Sequence, residues 1–244
     1  MKTIIPNWPA PKNVKAFAST RIGGFSTGPY QGLNLGTHVG DDLSLVEKNR
    51  AWLAQQASMP NAPIWLNQTH STVVAQANEP TTQVLDADGV FTSSSHVICS
   101  AMTADCLPVL LTNTQGTQVA AVHAGWRGLA NGIVENALAL FSGEVIAWLG
   151  PAIGPQAFEV GEDVLQAFVD FDSQANQAFA PRDIDGKWFA DMSVLATQRL
   201  NRAGVTQVFD SGLCTYQDKA SFYSYRRDGK TGRQATFIWI EDWL

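Results

Sequence analysis

Two short apolar runs, at 107–111 (LPVLL) and 119–122 (VAAV), flank a polar break that contains Asn113, Gln115 and Gly116. Runs of that length bounded by turn residues predict buried strands joined as an antiparallel hairpin. Polar residues gather at the open end of this hairpin. Asp105 and Cys106 stand just before the first run and His123 ends the second. Antiparallel pairing sets the start of one strand beside the end of the other, so Cys106 and His123 can meet. Gly125, Trp126, Arg127 and Gly128 follow, and the two glycines predict a tight turn whose backbone passes close to a ligand. A thiol, an imidazole, a carboxylate and a guanidinium are thereby directed toward one pocket.

Elsewhere the pattern switches between strand and helix periods. Val14, Ala16 and Ala18 alternate as a strand ending at Thr20 and Arg21. Residues 25–40 (FSTGPYQGLNLGTHVG) read as a long irregular loop, of the kind that is often functional, and they carry Asn34 and His38. Asp41 or Asp42 caps a helix over 43–57, closed by Pro60. Short strands are predicted at 63–66, delivering Gln68 and His70, and at 72–75 and 97–102, with Asp86, Asp88 and Gly89 as a turn before Val90 and Phe91. Helices follow at 133–141, 164–168 and 192–203, and strands at 145–149, 205–209 and 236–240. With no fixed-period repeat, linker or regular βαβ alternation, the pattern predicts an α+β fold in a single domain over residues 1–244.

Composition narrows the function. A net charge of -6, with no block of Lys and Arg, argues against a nucleic-acid partner. No apolar run approaches the roughly 18 residues of a membrane span, and the first residues lack a signal-peptide core, so a cytoplasmic protein without a membrane partner is expected. Cys99, Cys106 and Cys214 are an odd set in a chain too large to need disulfide staples. Cys99 reads as a core strand residue and Cys214 as a buried thiol. A small-molecule partner and a monomer are the expectation.

The chemistry rests on three residues. A catalytic zinc takes about three protein ligands and keeps a position open, and His70, Cys106 and His123 meet that count. The residues alone leave alternatives open: copper, which also accepts two His and one Cys; a Cys106 thiolate with His123 as its base; or a core cysteine with two histidines bonded to backbone. Asp105 is a candidate proton shuttle or a strand-end cap. Asp88 reads as a turn residue and His38 as a solvated loop histidine.

The strings TADCLPVLL and HAGWRG, with LNQTH upstream, resemble those of the YfiH family, also called the multicopper polyphenol oxidase or laccase-domain family. The similarity extends from TRIGGFS to FYSYRRDGKTGR, nearly the whole chain. It implies a four-layer α/β/β/α sandwich with mixed sheets. His70, Cys106 and His123 match the family's metal-binding residues, and Arg50 matches a family arginine that faces the ligand. The implied activity is a zinc-dependent purine nucleoside phosphorylase, releasing the base from adenosine, inosine, guanosine or methylthioadenosine with phosphate, with adenosine deaminase activity at the same metal. For such substrates Asn34 is a candidate partner of base or ribose or else a turn residue beside Gly. Arg127, Arg50 and Arg21 are candidates to supply charge for phosphate, with Arg50 otherwise a solvated helix charge, and Phe222 or Tyr225 either stacks on a purine or packs within the fold. The alternatives are a copper-dependent polyphenol oxidase and a cysteine hydrolase acting on peptidoglycan precursors. A laccase needs a histidine-rich trinuclear cluster, which His38 and His96 cannot build once His70 and His123 are used. A zinc-stabilised binding module is disfavoured because three ligands leave the site open.

Overall fold

The hairpin lies at the centre of the largest sheet in the computed structural model, which describes residues 1–243. Strands Leu107–Asn113 and Val119–Ala124 pair antiparallel with Leu107 opposite Ala124 and Pro108 opposite His123. That register puts Cys106 and His123 at one end, as the sequence predicts. The six-stranded sheet runs in the order Gln207–Asp210, Val145–Leu149, Leu107–Asn113, Val119–Ala124, Gly89–Thr92, Val74–Gln76, with a parallel pair at each edge. A four-stranded antiparallel sheet holds Thr3–Ile4, Val14–Ser19, Gln234–Ile240 and Cys99–Thr103.

Alternation along the strands builds three apolar clusters. Side chains on a strand point to opposite faces in turn. In the strand Val119–Ala124, Val119 and Ala121 join Leu110, Trp148, Cys99, Ala101 and Ile238 in a layer contributed by both sheets. Ala120, Val122 and Ala124 face the other way, toward Leu129, Ile133, Val164, Leu195 and Leu200 on the helices. Both faces are buried, which is why the central strands read as unbroken apolar runs. The outer face of the four-stranded sheet carries Phe17, Met102, Ala235 and Phe237 against Leu53 of the helix Leu43–Gln56. The fold is mixed α+β, as expected.

Several elements differ from expectation. Gly125 is not a turn residue but the N-cap of a helix, Trp126–Asn131, whose first hydrogen bond runs from the Leu129 amide to the Gly125 carbonyl. Gly132, at φ 100°, then divides it from the helix Ile133–Leu138. The predicted strand at 63–66 contracts to Leu66–Asn67, and Gly89 opens a strand instead of ending a turn. Three short strands, Glu159–Gly161, Phe179–Pro181 and Lys187–Ala190, form a separate antiparallel sheet. Among the described residues no helix is long and apolar enough to cross a membrane.

Candidate metal centre and its cavity

Three elements deliver the donor atoms. His123 is the penultimate residue of its strand, Cys106 immediately precedes the strand Leu107–Asn113, and His70 rides on the loop after Leu66–Asn67. Cys106 Sγ lies 3.7 Å from His70 Nε2. The two imidazoles meet edge to face with centroids 4.9 Å apart. One donor atom from each of the three residues lies within 4.8 Å of the other two. Thiolate and imidazole donors at ordinary zinc bond lengths stand about 3.6 Å apart in a tetrahedron. Donor chemistry and spacing therefore fit one metal ion.

Asp88 arranges both histidines. Its carboxylate is fully buried, and one oxygen lies 2.7 Å from His123 Nδ1. The bond fixes the tautomer in which Nδ1 carries the proton and Nε2 is left as the donor to a metal. The same carboxylate accepts the amides of Thr69, His70 and Ser71 at 3.1, 3.0 and 2.9 Å and the Ser71 hydroxyl at 2.6 Å. His70 sits at φ 61°, a left-handed conformation uncommon outside glycine, and this ring of bonds holds it there. Asp88 is thus a site residue and not the turn residue expected. Its partner His123 is 35 positions away, so no local signal marked it.

Close packing completes the centre. A Cβ on Gly125 would stand 2.6 Å from His70 Cδ2 and 3.3 Å from Cys106 Sγ, so only glycine fits here. The Gln68 side chain bonds both the amide and the carbonyl of Met102, at 2.9 and 2.8 Å, which fastens the His70 loop to the strand Cys99–Thr103. Burial pushes the Cys106 thiol up, yet the charge of His123 and the hydrogen bond and charge of His70 outweigh it and bring the thiol down to about 6. Burial likewise opposes charge on His123, but the Cys106 thiolate and Asp88 raise the imidazole to about 9. Both shifts favour a thiolate beside an imidazolium in the metal-free pair.

The centre opens into a cavity of about 440 Å³. Trp126, Phe158, Met192 and Tyr225 form its apolar walls, and Arg127, Arg226 and Arg233 bring positive charge. Asp105 lines it too, at φ 113°. Its carboxylate accepts the Thr215 hydroxyl and the Arg226 amide, each at 2.7 Å. Burial raises its pKa against those bonds. The capping role weighed for Asp105 is what these contacts describe.

Several candidates fall elsewhere. Asn34 is fully buried, bonding the Gly36 carbonyl and Asp41 through its amide nitrogen and the Gly36 and Arg233 amides through its oxygen. No capacity remains to meet a substrate. Arg50 lines an adjoining cavity, where its guanidinium donates to the Leu35 carbonyl and lies 3.9 Å from the centroid of the Trp65 ring. Arg21 lies over Tyr223 and lines a different surface depression. Phe222 is a core residue, whereas Tyr225 is exposed on the cavity wall. His38 is exposed, as expected of a solvated loop histidine, and lines both cavities. His96 is remote from the centre and pairs with Asp242. Cys99 is buried in its strand, while Cys214 is only half-buried and accepts the Gly154 amide. All three cysteines are free.

Residues 15–241 match the family described as multi-copper polyphenol oxidoreductase laccase. A purine nucleoside phosphorylase of Haemophilus influenzae is 50% identical over 245 residues, covering 99% of this chain and 100% of that protein. The purine nucleoside phosphorylase YfiH of Escherichia coli is 47% identical, over 98% of this chain and 99% of its own. The crystal structure of a Neisseria meningitidis protein superposes with a TM-score of 0.92 at 45% identity, covering 99% of this chain and 100% of the other.

Proposed function

The chain belongs to the multi-copper polyphenol oxidoreductase laccase family, and from that premise we propose that it is a zinc-dependent purine nucleoside phosphorylase with adenosine deaminase activity at the same centre. The observation that carries this reading is a two-histidine, one-cysteine donor set at the floor of a cavity that combines aromatic walls with arginines. Apolar aromatic walls suit a purine, and guanidinium groups suit phosphate. His70, Cys106 and His123 hold the ion, which when bound supplies Lewis acidity at the cavity floor.

In phosphorolysis of inosine, adenosine, guanosine or methylthioadenosine, a phosphate oxygen bonds C1′ as the glycosidic C–N bond breaks. The bonding pair leaves with the purine, which takes the proton carried in by monohydrogen phosphate. Tyr225 and Trp126 bracket the base, and Arg127 supports the developing negative charge. In deamination a water oxygen bonds the amino-bearing carbon of the purine ring, the exocyclic C–N bond breaks, and ammonia leaves with a ring carbonyl in its place.

Copper-based laccase chemistry is less well supported by the residues. His38 lies beyond the donor cluster and His96 is on the surface with Asp242, so a trinuclear histidine cluster cannot assemble around this centre. One observation favours a second reading. Cys106, His123 and Asp88 are ordered as a nucleophile, its base and the carboxylate that orients the base, the arrangement of a cysteine hydrolase, for which the family resemblance implies peptidoglycan precursors as substrate.

The test is metal analysis of purified protein together with assays of adenosine and inosine, with and without phosphate, for wild type and Cys106→Ala. Bound zinc and phosphate-dependent release of base, both lost in the variant, support the phosphorylase. Metal-free protein without nucleoside turnover removes it and brings the hydrolase forward.

A further inference from the structure

The arginines are held in two ways, by carboxylates or by backbone carbonyls, and Arg21, away from the cavity, is of the second kind, donating to the Gln31 and Lys219 carbonyls. Arg182, Arg199, Arg202 and Arg227 each pair with a carboxylate. Arg50, Arg226 and Arg233 are anchored instead on backbone carbonyls. Arg50 Nε and Nη2 donate to the Leu35 carbonyl at 2.9 and 2.7 Å, Arg233 Nη1 to those of Thr231 and Gly232 at 3.2 and 3.0 Å, and Arg226 Nη1 to that of Glu159 at 2.8 Å. A carbonyl positions a guanidinium without cancelling its charge. These groups are therefore built to meet an anion brought from outside.

Two of them bracket His38. Arg233 and His38 line the cavity that holds the metal ligands, and His38 and Arg50 line the second cavity, of about 430 Å³. Gln68 and Met102 also belong to both, so the two spaces meet along a seam at which His38 stands. Burial, then the charges of Arg233 and Arg50, lower the His38 pKa and favour the neutral imidazole, which can donate one hydrogen bond. The acids on these walls are occupied: Asp105 by Thr215 and the Arg226 amide, and Asp86 by the Asn67 side chain at 2.8 Å. The stem of Arg233 is held close to Gly36, where a Cβ would stand 2.9 Å from Arg233 Cγ.

We propose that His38, Arg50 and Arg233 form the subsite for inorganic phosphate, at the seam between the two cavities. The site leaves the aromatic walls of the larger cavity for the nucleoside, so phosphate approaches from the Arg233 side while the base lies against Tyr225 and Trp126. This assignment rests on the phosphorylase reading, and it predicts that the two substrates are recognised by separable groups.

The test measures phosphorolysis of inosine over a range of phosphate concentrations for zinc-loaded wild type, Arg233→Gln, Arg50→Gln and His38→Asn, with calorimetric titration of inorganic phosphate in parallel. Zinc content equal to wild type identifies variants with an intact fold and centre. Losing one charge-assisted hydrogen bond is expected to raise the phosphate KM by about tenfold or more in each arginine variant, leaving the inosine KM within about twofold. An unchanged phosphate KM in all three variants, with active wild type, overturns the subsite. Wild type that lacks phosphorolysis but binds phosphate, with binding lost in the variants, keeps the subsite and removes the phosphorylase reading. Wild type that does not bind phosphate in the millimolar range overturns the subsite whatever its activity.

Discussion

Asp88 Oδ2 lies 2.7 Å from His123 Nδ1 in a position sealed from solvent, and the same carboxylate collects the amides of Thr69, His70 and Ser71. One buried group thus orients one candidate metal ligand through its ring and another through its backbone. The donor geometry depends on a residue that donates nothing itself.

Asp88→Asn removes the negative charge and cannot satisfy the same set of donors. Zinc affinity is expected to fall by about 10–100-fold, the range seen when outer partners of metal ligands are lost. Competition against a chromophoric chelator measures it. An affinity equal to wild type would remove Asp88 from its positioning role.

The carboxyl of Asp88 is held well below the usual carboxylate range: burial raises it, but the bonds from His123, Ser71 and Thr69 prevail. A folded-state pKa below the unfolded value contributes stability that is present above about pH 4 and is lost as pH falls toward the folded pKa. In metal-free protein, acid unfolding below pH 4 should be less steep in Asp88→Asn than in wild type. Urea titrations at a series of acid pH values, compared by midpoint, test this.

Metal binding must displace the proton that His123 carries when its pKa is raised to about 9, whereas Cys106, brought to about 6, is already a thiolate at neutral pH. Between those values one proton leaves per ion bound, so apparent zinc affinity should rise about tenfold per pH unit. Below the Cys106 value a second proton joins and the slope steepens. Calorimetry in buffers of different ionisation enthalpy counts the protons. Zero released at pH 7.5 would contradict the thiolate–imidazolium assignment.

Gly125→Ala places a Cβ 2.6 Å from His70 Cδ2 in a backbone conformation that alanine itself tolerates, since φ at Gly125 is -68°. The expected result is a folded protein with displaced His70 and zinc affinity reduced at least about tenfold. Circular dichroism and metal analysis separate this from unfolding.

Asn34→Ala should act on stability and not on substrate binding. It leaves the amides of Gly36 and Arg233 and the Asp41 carboxylate without their buried partner, at a cost of about 2–3 kcal/mol. Thermal denaturation reads the loss. A large rise in nucleoside KM with unchanged stability would return Asn34 to the substrate-binding set.

The sequence by itself determined the hairpin and its cargo. Runs at 107–111 and 119–122 with a polar break admit one pairing direction for a short connection, and pairing alone brings Cys106 to His123. His70 was legible by residue type and motif. Tertiary structure decided which other groups serve them, because those contacts span long stretches of chain: Asp88 reaches His123 across 35 residues, and Arg233 joins His38 from the far C-terminal segment. It also decided Asn34 between a substrate contact and turn chemistry, since burial and the bonds to Gly36 commit the side chain to the turn. Local pattern fixes direction and period, since these follow from backbone geometry. Whether a polar group faces a cavity or closes a turn depends on what the rest of the fold brings against it.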